Sequence, residues 1–193
     1  MKNTQNMTEK QKAWKFLKKV TKPSRYTGGE LNEIIKDKSK IDARFAFCFP
    51  DTYEIGMSNL GMKILCNCLN NSPRIWCERC FAPWPDMGQV LRDNNIDLYA
   101  LESGDSLKMF DFVGFTLQYE LSYTNILNML DLGRIPVKTE ERTEKDPFII
   151  VGGPCVYNPE PLADFFDLAV VGEGEEVMVE LMEAYKKWKR EGK

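Results

Sequence analysis

Phe112-Val113-Gly114-Phe115-Thr116-Leu117 is an uncharged, apolar run too short for a helix, and it reads as a strand buried on both faces. The same signature recurs on either side of it. Arg44 to Phe49 ends at Pro50, Phe148 to Val151 runs into Gly152-Gly153-Pro154, and Leu168 to Val171 precedes Gly172-Glu173-Gly174. Ile75 to Ala82 is a further candidate strand, and Leu98 to Glu102 a weak one. Helical spacing fills the intervals. Met57 to Asn70 carries Leu60, Ile64, Leu65 and Cys68, and Asp86 can cap a helix running to Asn94. Tyr123 to Leu132 is closed by Gly133 and Pro136, and Glu175 to Arg190 lines Val177, Leu181, Tyr185 and Trp188 along one face. Short apolar strands alternating with helices predict an α/β domain, a parallel sheet with helices on both faces.

Upstream of the first strand the text differs. Residues 1–40 are rich in lysine and read as an appendage, with 41–193 as the α/β domain. Trp14, Phe16, Leu17 and Val20 predict a short helix ended by Lys22-Pro23, followed by a turn at Tyr26-Thr27-Gly28-Gly29. Docking on its own protein is the plain expectation for so short a helix; a basic anchor for RNA or membrane is the alternative. The 193 residues are 43% hydrophobic and 28% charged with a formal net charge of -3, which gives no global bias towards nucleic acid or an anionic membrane. No stretch approaches the ~20 apolar residues of a membrane-spanning helix, and the polar start Met1 to Gln5 lacks the apolar core of a secretory signal. A cytoplasmic protein is expected.

The chain has six cysteines and no histidine. Lack of imidazole excludes a Ser-His-Asp triad, a His-containing zinc site and histidine ligation of cobalt. Cys77-Glu78-Arg79-Cys80, with Cys66 and Cys68 nearby, could offer thiolates to a metal. However, alternate residues on a helix point about 200° apart, so Cys66 and Cys68 diverge. The expectation is no metal site, with thiols serving as small apolar fillers.

In open parallel sheets ligands gather beyond the carboxyl ends of the strands. Here those ends carry Asp51-Thr52-Tyr53-Glu54-Ile55-Gly56, then Thr116, Gln118, Tyr119 and Glu120, then Gly152-Gly153-Pro154-Cys155, then Gly172-Glu173-Gly174-Glu175. Glycines at several strand ends suit close backbone approach to a flat or phosphorylated ligand; tight turns alone would also use them. Gly172-x-Gly174 with Val177 falls short of a dinucleotide fingerprint and follows the last strand rather than the first, which argues against nicotinamide or flavin. Glu173, Glu175 and Glu176 suit a helix start without any catalytic role.

Arg25 to Asn32, Phe49 to Asn59, Gly114 to Leu121, Gly152 to Asp164 and Val171 to Glu176 together resemble the opening part of cobalamin-binding-domain radical S-adenosylmethionine (radical SAM) proteins, from Phe16 to the end of the chain. The resemblance implies a flavodoxin-like (Rossmann-like) fold. It also implies a cobalamin site in which Asp51, Tyr53 and Gly56 line the lower face while Thr116, Gln118, Gly152 and Gly153 surround the nucleotide tail, with Gly172 and Glu173 beside them. The family's pattern Asp-x-His-x-x-Gly stands here as Asp51-x-Tyr53-x-x-Gly56, and Thr116-x-Gln118 replaces Ser-x-Leu. A phenol with a reference pKa near ~10 is a poor substitute for imidazole on cobalt. Either cobalamin binds with no protein ligand to the metal, or the fold persists without the cofactor.

No three cysteines fit the Cys-x-x-x-Cys-x-x-Cys that holds a four-iron four-sulfur cluster in this family, so cluster and S-adenosylmethionine are expected only in a following barrel domain. No catalytic residue is assigned, and the chain is expected to be inactive alone, as a truncated product or one part of a split protein. Its expected partner is that barrel, in cis or in trans, with an RNA or protein substrate and no membrane. The rival reading is a cofactor-free module that recognises a substrate or partner for the barrel. A free-standing enzyme fits least, for want of a nucleophile–base pairing.

Overall fold

The structure is a computed structural model and describes residues 7–192. Five strands, β1 (Ala43–Phe49), β2 (Ile75–Phe81), β3 (Phe112–Thr116), β4 (Phe148–Gly152) and β5 (Leu168–Val170), form one sheet in the order β2-β1-β3-β4-β5, and every pair is parallel. That is the flavodoxin-like order, with its switch point between β1 and β3. Among the described residues six α-helices accompany the sheet: α1 (Glu9–Trp14), α2 (Tyr53–Ser58), α3 (Leu60–Asn70), α4 (Pro85–Asp93), α5 (Tyr123–Leu132) and α6 (Gly174–Glu191). Helices α3 and α6 pack together over Phe45, Phe47 and Phe112, while α4 and α5 adjoin each other on the opposite face. The predicted α/β architecture is the one observed. No helix among the described residues is long and apolar enough to cross a membrane.

Several local expectations need correction. The single helix expected from Met57 breaks at Asn59, whose side chain accepts the Met62 N–H at 2.8 Å and starts α3 afresh. Its buried face is therefore Met62, Cys66 and Leu69, and Leu60 is exposed. Asp86 sits inside the first turn of α4, not at its cap; Trp84 takes the cap position and Asp86 accepts the Thr21 N–H and hydroxyl. Leu98 to Glu102 makes no strand, only a bridge from Tyr99 to Ser106. Helix α5 does close at Gly133, where a Cβ would crowd Met129 and Leu107, and the left-handed residue follows it at Arg134. On α6 the buried line is Met178, Met182 and Lys186, while Val177 and Trp188 are exposed.

The lysine-rich start is no loose appendage. Ala13, Val20 and Tyr26 are buried in the core shared with the sheet, because Thr21 and Tyr26 anchor the segment on α4 and Trp84. The stretch Met1 to Gln5 lies outside the described residues.

Further along, the segment runs beside β2, whose outward backbone groups are met by side chains and a turn instead of another strand. Lys36 Nζ donates to the Ile75 carbonyl at 2.6 Å, and the Asn70 carboxamide brackets Cys77, accepting its N–H at 3.0 Å and donating to its carbonyl at 2.9 Å. Glu102 accepts the Arg79 N–H at 2.7 Å, and Leu101 N–H donates to the Arg79 carbonyl at 2.8 Å. Each outward group so paired escapes the cost of a buried orphan. Arg79 also reaches Glu102 through Nε at 2.5 Å and Glu30 at 2.9 Å. Burial pushes the Glu102 carboxyl up to about 7 against the pull of that guanidinium.

The thiols are dispersed by strand alternation. Cys77 lies on the α3 side, its sulfur 3.4 Å from that of Cys66, whereas Cys80 lies on the other face beside its register partner Cys48. Burial raises the Cys48 and Cys77 thiols well above their usual range.

Candidate functional site

The carboxyl ends of β3, β4 and β5 open into a cavity of about 200 Å³ between the sheet and the amino ends of α3 and α6. Its floor is apolar, with Phe45, Ile150, Met62, Leu65 and Met178, and its rim is polar, with Thr116, Gln118, Asn59, Glu173 and Glu175. No lysine or arginine lines it. Gln118 Nε2 donates to Thr116 Oγ1 at 2.5 Å, which ties the β3 end together, and Leu117 N–H donates to the Gly152 carbonyl at 2.6 Å, which ties it to β4.

Glycine keeps this rim open. Gly153 has φ +102, and a Cβ there would stand 3.0 Å from Thr116 Oγ1 and 3.1 Å from Leu117 N, so both conformation and space select glycine. Gly172 has φ +107 and faces open space, and at Gly152 a Cβ would meet nothing nearer than the Val170 carbonyl at 3.6 Å. Glu173 takes the cap position of α6 without bonding its own helix, so the side chain is not spent on capping.

Six residues singled out in the sequence therefore surround one cavity: Thr116, Gln118, Gly152, Gly153, Gly172 and Glu173. The other three do not line it. Asp51 borders a separate groove between α4 and α5, where its carboxylate accepts the Thr52 N–H and the Tyr119 hydroxyl, each at 2.6 Å. Tyr53 donates its hydroxyl to Glu30 at 2.7 Å and stands edge-on to Phe81, ring centres 5.3 Å apart. Burial, then Glu30, pushes its phenol up to about 12, so it stays protonated at neutral pH. Gly56 is a packing position: a Cβ there would fall 2.3 Å from the Phe81 ring. Missing from the sequence reading as site residues were Asn59 at the cap of α3, Met62 and Leu65 on α3, and Met178 on α6. Nothing in local spacing says that two helices so distant in the chain share one face; only the strand order does.

As a container the cavity suits a flat apolar group with hydrogen-bonding edges. It offers no imidazole, no thiolate cluster and no paired nucleophile and base.

An uncharacterized protein of Methanocaldococcus jannaschii is 30% identical over 146 residues, covering 74% of this chain and 27% of that protein's length. The chain thus spans about a quarter of the relative it matches. A family model described as radical SAM proteins, N-terminal, matches residues 61–193. With that match over most of the α/β domain, the chain belongs to the family of radical SAM protein N-terminal regions.

Proposed function

We propose that this chain is a module serving a radical SAM catalytic barrel in cis, and that its cavity receives the nucleotide tail of cobalamin with no protein ligand to cobalt. The observation that carries the reading is the convergence of Thr116, Gln118, Gly152, Gly153, Gly172 and Glu173 on one cavity of apolar floor and polar rim. The apolar floor and hydrogen-bonding rim support a seat for the flat base of that tail. The metal half finds no ligand, since the chain has no histidine and Tyr53 is committed to Glu30. Bound cobalamin would supply its own cobalt chemistry to the barrel, where the iron–sulfur cluster and S-adenosylmethionine belong. The chain's part is to hold and orient. The same Tyr53–Glu30 contact favours the second reading, a cofactor-free recognition module on the ancestral fold.

Hydroxocobalamin mixed with the purified chain is expected to leave a visible band co-eluting with protein on gel filtration. Gly152→Leu places a branched side chain into open cavity without backbone strain, and is expected to weaken retention by about tenfold, the scale of an overpacked contact. Colour lost entirely from the wild-type protein would leave the second reading; retention unchanged in Gly152→Leu would remove the cofactor from this cavity.

A further inference from the structure

Two thiols meet between helix and sheet. Cys66 on α3 and Cys77 on β2 stand with their sulfurs 3.4 Å apart. That is van der Waals contact, and a closing movement of about 1.4 Å, within reach of side-chain rotation, brings two sulfurs to bonding distance. The surroundings hold the pair in place. Asn70, one turn beyond Cys66 on α3, brackets the Cys77 backbone, accepting its N–H at 3.0 Å and donating to its carbonyl at 2.9 Å. Lys36 Nζ donates to the Asn70 and Ile75 carbonyls at 2.8 Å and 2.6 Å, tying the end of the helix to the start of the strand. The helix cannot slide along β2 without breaking these bonds, so the sulfurs stay together.

Contact and access together single out this pair among the cysteines. Cys48 and Cys80 are register partners on the other face of the sheet, 0% and 1% exposed, and so are closed to an oxidant. Cys68 and Cys155 are more open, but Cys68 points about 200° away from Cys66 around the helix and Cys155 lies beyond β4. Cys66 is 8% exposed, on the helix whose Met62, Leu65 and Leu69 wall the cavity, which gives a small molecule a short approach.

We propose that Cys66 and Cys77 form a reversible disulfide with hydrogen peroxide as oxidant, a modification site that staples α3 to β2. The Cys66 sulfur attacks one peroxide oxygen and the O–O bond breaks. The departing hydroxide takes the Cys66 proton and leaves as water, and Cys66 becomes a sulfenic acid. The Cys77 sulfur then attacks the Cys66 sulfur and the S–O bond breaks, with the Cys77 proton leaving on the hydroxide as a second water. In all, two thiols lose two protons and two electrons while one peroxide becomes two waters. Burial keeps the Cys77 thiol protonated at neutral pH, so the second step relies on contact with Cys66 and not on a ready thiolate. A dithiol reductant restores both thiols by exchange. Because Met62 and Leu65 ride on α3, the link also fixes one wall of the cavity. It stands whether or not cobalamin occupies that cavity.

The test is to treat the reduced chain with excess hydrogen peroxide, far below its melting midpoint, and then to alkylate the remaining thiols under denaturing conditions. Trypsin separates Cys66 and Cys68 (residues 64–74) from Cys77 (residues 75–79), and from Cys80 beyond Arg79. Mass spectrometry is expected to find the two peptides joined with the loss of two hydrogens, and free again after dithiothreitol. Cys68→Ser should keep the link and Cys66→Ser should abolish it. Oxidation of the wild-type chain should raise the melting midpoint by about 5–10 °C, as closing a short loop does. Recovery of Cys66 and Cys77 as alkylated thiols overturns the proposal, as does oxidation confined to Cys68 and Cys155, where exposure alone would direct it. So does a link that leaves the midpoint unchanged or lowers it, since the sulfurs would then meet only by distorting the native packing.

Discussion

Arg44→Met should cost about 3–5 kcal/mol, the price of stripping a buried carboxylate of its partner, and so a large share of a domain's typical stability of about 5–15 kcal/mol. Glu78 is 0% exposed, and Arg44 reaches its Oε1 through Nε at 3.1 Å and Nη2 at 2.5 Å. The same guanidinium donates to Asp105 at 2.8 Å and Ser103 at 3.0 Å, and stacks over Phe110 at 4.2 Å. Without Arg44, Glu78 keeps only the Ser103 N–H, at 2.9 Å, in a place water does not reach. Urea unfolding followed by circular dichroism reads the loss as a lower midpoint. The double variant Arg44→Met, Glu78→Met removes the orphaned charge and should recover most of it. A single variant within about 1 kcal/mol of wild type, as an exposed pair would give, refutes the account. A double variant no better than the single one refutes it too.

Gly56→Val is expected to cost about 1–3 kcal/mol through overpacking, with no help from backbone strain because Gly56 lies outside the left-handed region. The added Cβ would fall 2.3 Å and 2.4 Å from two Phe81 ring atoms and 3.1 Å from Phe49 Cβ. Phe81 cannot retreat freely, since Tyr53 stands against it and Glu30 holds Tyr53. Thermal unfolding of Gly56→Val should show the loss, and adding Phe81→Leu should return part of it by vacating space. Equal melting of Gly56→Val and wild type would mean that the α2 turn yields easily, contrary to this packing.

These residues also show what the sequence could and could not disclose. β1, β4 and β5 were legible as short apolar runs stopped by proline or glycine, β3 as an uncharged run, and β2 as a candidate despite Glu78 and Arg79, while α5 was legible because ten residues repeat at helical spacing before Gly133. The face of α3 was not legible. Asn59 restarts the helix and turns Leu60 outward, and that depends on a cap bond rather than on apolar spacing. Leu98 to Glu102 looked like a weak strand because its residues are mostly apolar, but they are buried as a turn along the edge of β2, where Leu101 spends its N–H on Arg79. At the site, the glycines announced themselves because only they tolerate the turns at Gly153 and Gly172. Tyr53 misled for the opposite reason. Its place in the motif is set locally, but its direction is set by Glu30, twenty-three residues upstream.

The side chains that stand in for a neighbouring strand along β2 have a consequence for solubility. A fragment begun at Ile41, where the lysine-rich text gives way to the sheet, would lack Lys36 and Glu30 and would bare the Ile75 carbonyl. Asn70, Leu101 and Glu102 would still meet Cys77 and Arg79, so one rung at the start of the margin would open to another chain. Lys36 closes that rung, which makes it one part of a guard shared with residues far along the chain.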